Sequence, residues 1–195
     1  MRWLDVVNRD PVPWLLDPSN PSARYLTLKW VFEAPSDELE EEQQRILAWA
    51  PVQRILQHWD RTNFWGRIAN PYYGGAMGNF GTLYLLHQLG APRFPEIEPV
   101  CENLLKRGRT KDGRFMPPGS GPALWLCYTG MGLQILDHFG YSHDTRVRSS
   151  WKTLIETVLS GPEHLACPLA FGPCQDGLIR VLGALLHRPI SERGS

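Results

Sequence analysis

Leu86-His87-Gln88-Leu89-Gly90 and Leu136-Asp137-His138-Phe139-Gly140 stand at an offset of 50 residues, and each ends an apolar run on a glycine. Aligned there without a gap, the segments that follow stay in register: Ile97 falls on Val147, Cys101 on Trp151, Leu104 on Leu154 and Leu105 on Ile155. Such three- and four-residue steps trace one face of a helix. A looser third copy sets Gly177-Leu178 against Gly130-Met131 and ends near Arg188-Pro189. Each unit reads as a buried helix, a short loop, an outer helix and a Gly/Pro-rich return, which is the pattern of stacked αα-hairpins.

The rest of the chain agrees. Leucine occurs 26 times against 17 for valine and isoleucine together, a balance that favours helix over strand. The 18 glycines and 17 prolines cluster at 17–21, 34–36, 70–75, 117–122 and 161–162, leaving segments of helical length between them. Residues 95–107 and 144–159 carry one apolar stripe each, as helices with one face in water do. Residues 76–89, 123–139 and 177–186 are apolar nearly all round and are expected to be buried on most sides. Asp37 and Glu40 stand at capping-box spacing at the head of another helix. Buried and half-buried helices thus alternate, as in two layers.

Composition sets bounds on function. A chain of 195 residues is one domain's worth, and 20 basic against 20 acidic side chains remove the electrostatic argument for nucleic acid. Asp5, Arg9 and Asp10 interrupt any apolar leader, and the longest uncharged stretch, 115–136, contains three prolines, so no membrane-integral segment is expected. Cys101, Cys127, Cys167 and Cys174 are too few for a disulfide scaffold, and a reduced, cytoplasmic protein is expected.

Asp17-Pro18-Ser19-Asn20-Pro21-Ser22-Ala23-Arg24-Tyr25, then Gly81-Thr82-Leu83 with Leu89-Gly90, the Lys111-Asp112-Gly113-Arg114-Phe115 turn and Cys127-Tyr128-Thr129-Gly130 resemble bacterial squalene-cyclase-like proteins. The wider group is the terpenoid cyclase and protein prenyltransferase superfamily. The resemblance spans about residues 14–189 and implies an α/α toroid of paired helices around a cavity, an isoprenoid ligand, and cyclase or prenyl-transfer chemistry. The chain departs from that pattern in places. It has no DxDD acid motif; Cys174-Gln175-Asp176 reverses the zinc-binding Asp-x-Cys order; Lys111 and Phe115 stand near where the repeat signature has Gln and Trp. At this period a closed ring of six hairpins needs about 300 residues, so a partial toroid, open or completed by a second chain, is expected.

The residues themselves offer three kinds of chemistry. His164, Cys167, Cys174 and Asp176 are the donor types zinc prefers, although their spacing matches no tight finger and buried structural cysteines fit as well. Trp65, Tyr72, Tyr73, Phe80, Trp125 and Tyr128, with Cys127 among them, lie beside or at the starts of the buried segments. Aromatic faces there suit a polyprenyl chain or a plain core. The acid–base candidates are His87, Asp112 and Asp176; for the first two, a core His and a turn Asp are the favoured readings.

The expectation is therefore an all-α protein, a partial α/α toroid of repeated αα-hairpins forming a single domain over 1–195. It has an N-terminal extended arm at 1–21 and repeats at roughly 22–75, 76–122, 123–172 and 173–189. Its expected partner is an apolar isoprenoid-like small molecule, with no cofactor and no nucleic acid. The alternatives are a non-catalytic interaction scaffold or homodimer module, and a zinc-dependent prenyltransferase-like enzyme.

Overall fold

The computed structural model describes residues 10–119, 125–165, 174–186 and 188. Among these the protein is all-α, with isolated antiparallel bridges at Asp60–Phe64 and Arg109–Phe115 and no strand. The chain divides into two compact units. One holds the residues up to Gln57 together with Gln88–Pro92; the other holds His58–His87 and the residues from Arg93 on.

The first unit contains α1 (Val12–Leu15), α2 (Pro21–Trp30), α3 (Ser36–Ala48) and α4 (Ala50–Leu56). The single turn of α1 lies within the stretch expected to be an extended arm. Asn20 caps α2 by accepting the Ala23 amide at 3.1 Å, and Pro21 supplies a preset first residue. The Pro-Ser-Asn-Pro motif is thus a helix start. Ser22 donates its hydroxyl to the Leu89 carbonyl, and a Cβ added at Gly90 would lie 2.4 Å from the buried Tyr25 ring. The φ of +77° at Gly90 and this close approach both require glycine. The expected capping box does not form, because α3 starts two residues earlier, with Pro35 at the cap position and no side-chain cap bond. Asp37 and Glu38 still place negative charge in its first turn.

The second unit contains α5 (Asn79–Gln88), α6 (Ile97–Asn103), α7 (Trp125–His138), α8 (Thr145–Leu159) and α9 (Gln175–Leu186). The ends of α5 and α7 keep the offset of 50, and the glycines two residues beyond, Gly90 and Gly140, both take positive φ. Ile97, Val147, Cys101, Trp151, Leu104 and Leu154 are all buried, so the aligned stripes of α6 and α8 do face inward. The segment expected as one helix over 95–107 is α6 continued by a π-helical turn, Leu104–Gly108. Asp144 caps α8 by accepting the Arg146 amide, and Arg146 in turn grips Glu102 through both guanidinium nitrogens.

Glycine sets the α7–α9 spacing. A Cβ on Gly130 would come within 2.9 Å of the Arg180 backbone, and Gly177 is equally close to Leu126. The expectation that α9 is buried on most sides needs correction. It buries Gly177, Val181 and Ala184, while Ile179, Leu182 and Leu186 are 65%, 58% and 64% exposed. These three lie on one stripe away from α7. No described helix is long and apolar enough to cross a membrane.

Candidate functional site

Residues 107–119 of the second unit build a cleft of about 440 Å³. The π turn brings the chain out of α6 at Gly108, where an added Cβ would lie 2.5 Å from Leu104 Cδ1 and 3.0 Å from the Tyr72 hydroxyl. The chain then reverses through a tight turn. The Thr110 amide donates to the Arg114 carbonyl at 2.8 Å, the Arg114 amide donates back to Thr110 Oγ1 at 3.0 Å, and Gly113 takes φ +93°. The Thr110 hydroxyl donates to Asp112 Oδ1, and Arg114 Nε lies 3.2 Å from Asp112 Oδ2.

This turn is anchored from three sides. The Phe115 amide donates to Thr129 Oγ1 on α7 at 2.9 Å, and the fully buried Phe115 ring lies where a Cβ on Gly132 would stand. Thr153 on α8 donates to the Asp112 carbonyl at 2.7 Å. Arg109 Nε donates to Ser150 Oγ at 2.8 Å.

Among the described residues, Arg107, Arg109 and Arg114 line the cleft with the single carboxylate of Asp112; Met116, Pro117 and Pro118 give it an apolar wall. Three guanidiniums against one carboxylate leave the cleft net positive in a chain that is neutral overall. Arg107 is exposed, and no carboxylate among the described residues pairs with it. Burial, and after it the Arg146 charge nearby, lower Arg109 from its ordinary value. The Thr110 hydroxyl, with Arg114 beside it, holds the Asp112 carboxyl below the usual carboxylate range. Such a cleft attracts an anion and offers a hydrophobic surface to whatever the anion carries.

An aromatic cluster adjoins the cleft floor. The rings of Tyr72, Phe80 and Tyr128 meet pairwise at centroid distances of 4.9, 5.2 and 5.3 Å. Tyr72 reaches the cleft through its hydroxyl, which donates to the Gly108 carbonyl at 2.6 Å. Burial and the neighbouring Tyr128 push its phenol well above the ordinary range. The cluster therefore holds Gly108 from below as a closed set of rings in contact.

The other residues singled out from the sequence go elsewhere. Trp65 is half-buried and donates its amide to Asn79 Oδ1; Tyr73 is exposed, with Arg67 3.7 Å above its ring. Trp125 opens α7, but its side chain lies outside the described residues. His87 is buried, with Nε2 3.3 Å from Gln134 Oε1 and its ring against His138 and Tyr84. Asp176 is exposed and pairs with Arg180 at 3.7 Å. His164 is exposed beside Glu163, and Cys167 lies outside the described residues. Cys174 sits 3.8 Å from Cys127, sulfur to sulfur. Among the described residues no group of three or more His, Cys, Asp or Glu is placed to hold a metal ion.

Arg107, Arg109, Thr110 and Arg114 were absent from the candidates. Their signal is present in the chain: Lys106, Arg107, Arg109, Lys111 and Arg114 put five basic residues between 106 and 114, against Asp112 alone. Whole-chain neutrality conceals that run. No family model, curated protein or solved structure matches this chain.

Proposed function

We propose that this chain is an α/α-toroid protein of the terpenoid cyclase and prenyltransferase type that binds an isoprenoid-like amphiphile. The anionic end lies among Arg107, Arg109 and Arg114, and the apolar body lies along Met116, Pro117 and Pro118. The observation that carries this reading is the cleft itself, cationic on one side and apolar on the other, with a volume in the range of small-molecule sites. The 50-residue offset between the ends of α5 and α7, each followed by a further helix, supports the toroid.

Asp112 bears on the reaction. Cyclisation started by protonation needs an acid that keeps its proton, and Asp112 is held ionised by Thr110 and Arg114. Three guanidiniums instead suit the departure of an anionic leaving group, so prenyl transfer is the chemistry this cleft favours.

Titration calorimetry with a prenyl diphosphate, the matching prenyl alcohol and inorganic pyrophosphate tests the reading. The diphosphate is expected to bind most tightly, and Arg107→Ala to weaken it by roughly 10- to 100-fold, as loss of a charge-assisted contact does. Equal affinity for pyrophosphate and the prenyl diphosphate would remove the apolar half of the proposal. Binding of the alcohol unaffected by Arg107→Ala would remove the anionic half.

A second reading, a helical-repeat module that pairs with a second copy of itself, is favoured by the exposed Ile179, Leu182 and Leu186 stripe. In repeat folds such a flank is what the next hairpin covers. Sedimentation equilibrium decides: a dimer that Leu182→Glu converts to monomer supports this reading, and a wild-type monomer at all concentrations ends it.

A further inference from the structure

We infer that Cys127 and Cys174 are a thiol pair that closes to a reversible disulfide, tying the first turn of α7 to the start of α9. Their sulfurs already stand 3.8 Å apart, in contact, and the bond needs about 2.05 Å. Cys127 is the third residue of α7, and Cys174 immediately precedes α9. Close packing of these two helices through Gly130 and Gly177 holds the two ends together.

The two cysteines divide the work by position. Cys127 is half-buried and open to a small reagent, whereas Cys174 is nearly enclosed. Cys174 Sγ accepts the Gly177 amide at 3.3 Å, inside the first turn of the twelve-residue α9, which fixes where its sulfur stands. Burial, Cys174 and the Asp176 carboxylate push the Cys127 thiol up to about 12. Exchange at Cys127 is therefore slow and depends on the partner already in place.

The reaction needs a disulfide oxidant of low molecular weight, such as glutathione disulfide, RSSR. Cys127 sulfur attacks one sulfur of RSSR, forming Cys127–S–S–R and releasing RS⁻, which takes up the Cys127 proton. Cys174 sulfur then attacks Cys127 Sγ, the mixed disulfide breaks, and the second RS⁻ takes up the Cys174 proton. One RSSR becomes two RSH, and the protein loses two hydrogens. Cys101 makes the internal comparison: it is fully buried, and burial raises its thiol far above the ordinary range.

The test uses the whole wild-type chain. It is incubated with glutathione disulfide, alkylated, digested and sequenced by tandem mass spectrometry. The expected product is a Cys127–Cys174 cross-link that dithiothreitol reverses, with Cys101 still alkylated. The oxidised form should melt higher by roughly 5 °C or more, because the bond closes a long loop. Cys127→Ser should lose the cross-link, and Cys101→Ser should keep it. An unchanged thiol count, a glutathione adduct that persists on either cysteine, or a link from Cys174 to Cys167 would each overturn the inference.

Discussion

Asp144 does two things with one carboxylate. It accepts the Arg146 amide at 2.7 Å as the cap of α8 and meets Arg146 Nη2 at 2.6 Å, and Arg146 also holds Glu102. The Arg146 guanidinium and these amides keep the Asp144 carboxyl below its ordinary value, as Thr110 and Arg114 do for Asp112. A carboxyl depressed in the folded state contributes stability that is present above its unfolded value and lost as pH falls toward the folded one. Thermal melts should thus be flat from neutrality to about pH 5 and decline below about pH 4. Asp144→Ala should cost about 1 kcal/mol at neutral pH, the usual worth of an N-cap, and should flatten part of that acid slope. An acid slope identical in wild type and variant would show that Asp144 has no share in it. The helix start at Asp144 was legible because the stripe of 144–159 opens there and capping is a local event. Asp112 was readable as a turn residue or an acid–base candidate but not as a carboxylate among arginines, since the fold around the turn brings those guanidiniums together.

Glycine governs how the helices meet. On α7, Gly130 faces Arg180 so closely that an added Cβ would stand 2.9 Å from a backbone atom, which cannot swing aside. On α9, the atoms nearest a Cβ on Gly183 belong to the Gln134 side chain, the closest at 3.3 Å. Alanine gains up to about 1 kcal/mol over glycine inside a helix, so Gly183→Ala should be neutral or stabilising. Gly130→Ala should lose stability instead, because overpacking at a backbone contact costs roughly 1–3 kcal/mol. Chemical denaturation of the two variants separates these outcomes, and equal effects would deny any special closeness at Gly130. Helix positions were legible because apolar periodicity is carried by the sequence itself: α8 at Thr145–Leu159 follows the stripe of 144–159 almost to the residue. The π turn at Leu104–Gly108 was not, since its hydrogen-bond shift answers to the tight fit of Gly108 against Tyr72 and Leu104.

For the molecule as a whole, the all-α character came from composition and punctuation, and the 50-residue repeat came from a self-alignment that any core of paired helices would preserve. The aromatic candidates were chosen because they cluster around the starts of apolar helices. Three of them, Tyr72, Phe80 and Tyr128, do converge, although 56 residues separate the first from the last. The cleft is hidden for the opposite reason: its basic run at 106–114 cancels against acidic residues elsewhere in a neutral chain. If the α9 stripe pairs two copies, the melting temperature should rise with protein concentration in the wild type and stay constant in Leu182→Glu, by mass action.

Every described residue lining the cleft falls between Arg107 and Gly119, on one uninterrupted stretch held by Phe115, Thr129, Thr153 and Ser150. On the proposed reading, ligand preference is thereby written in a single cassette, whose margins the core fixes and whose exposed letters the core does not read. If the cleft binds the proposed amphiphile, a library confined to the exposed positions of that cassette should change which ligand it holds while the helices beneath it remain untouched.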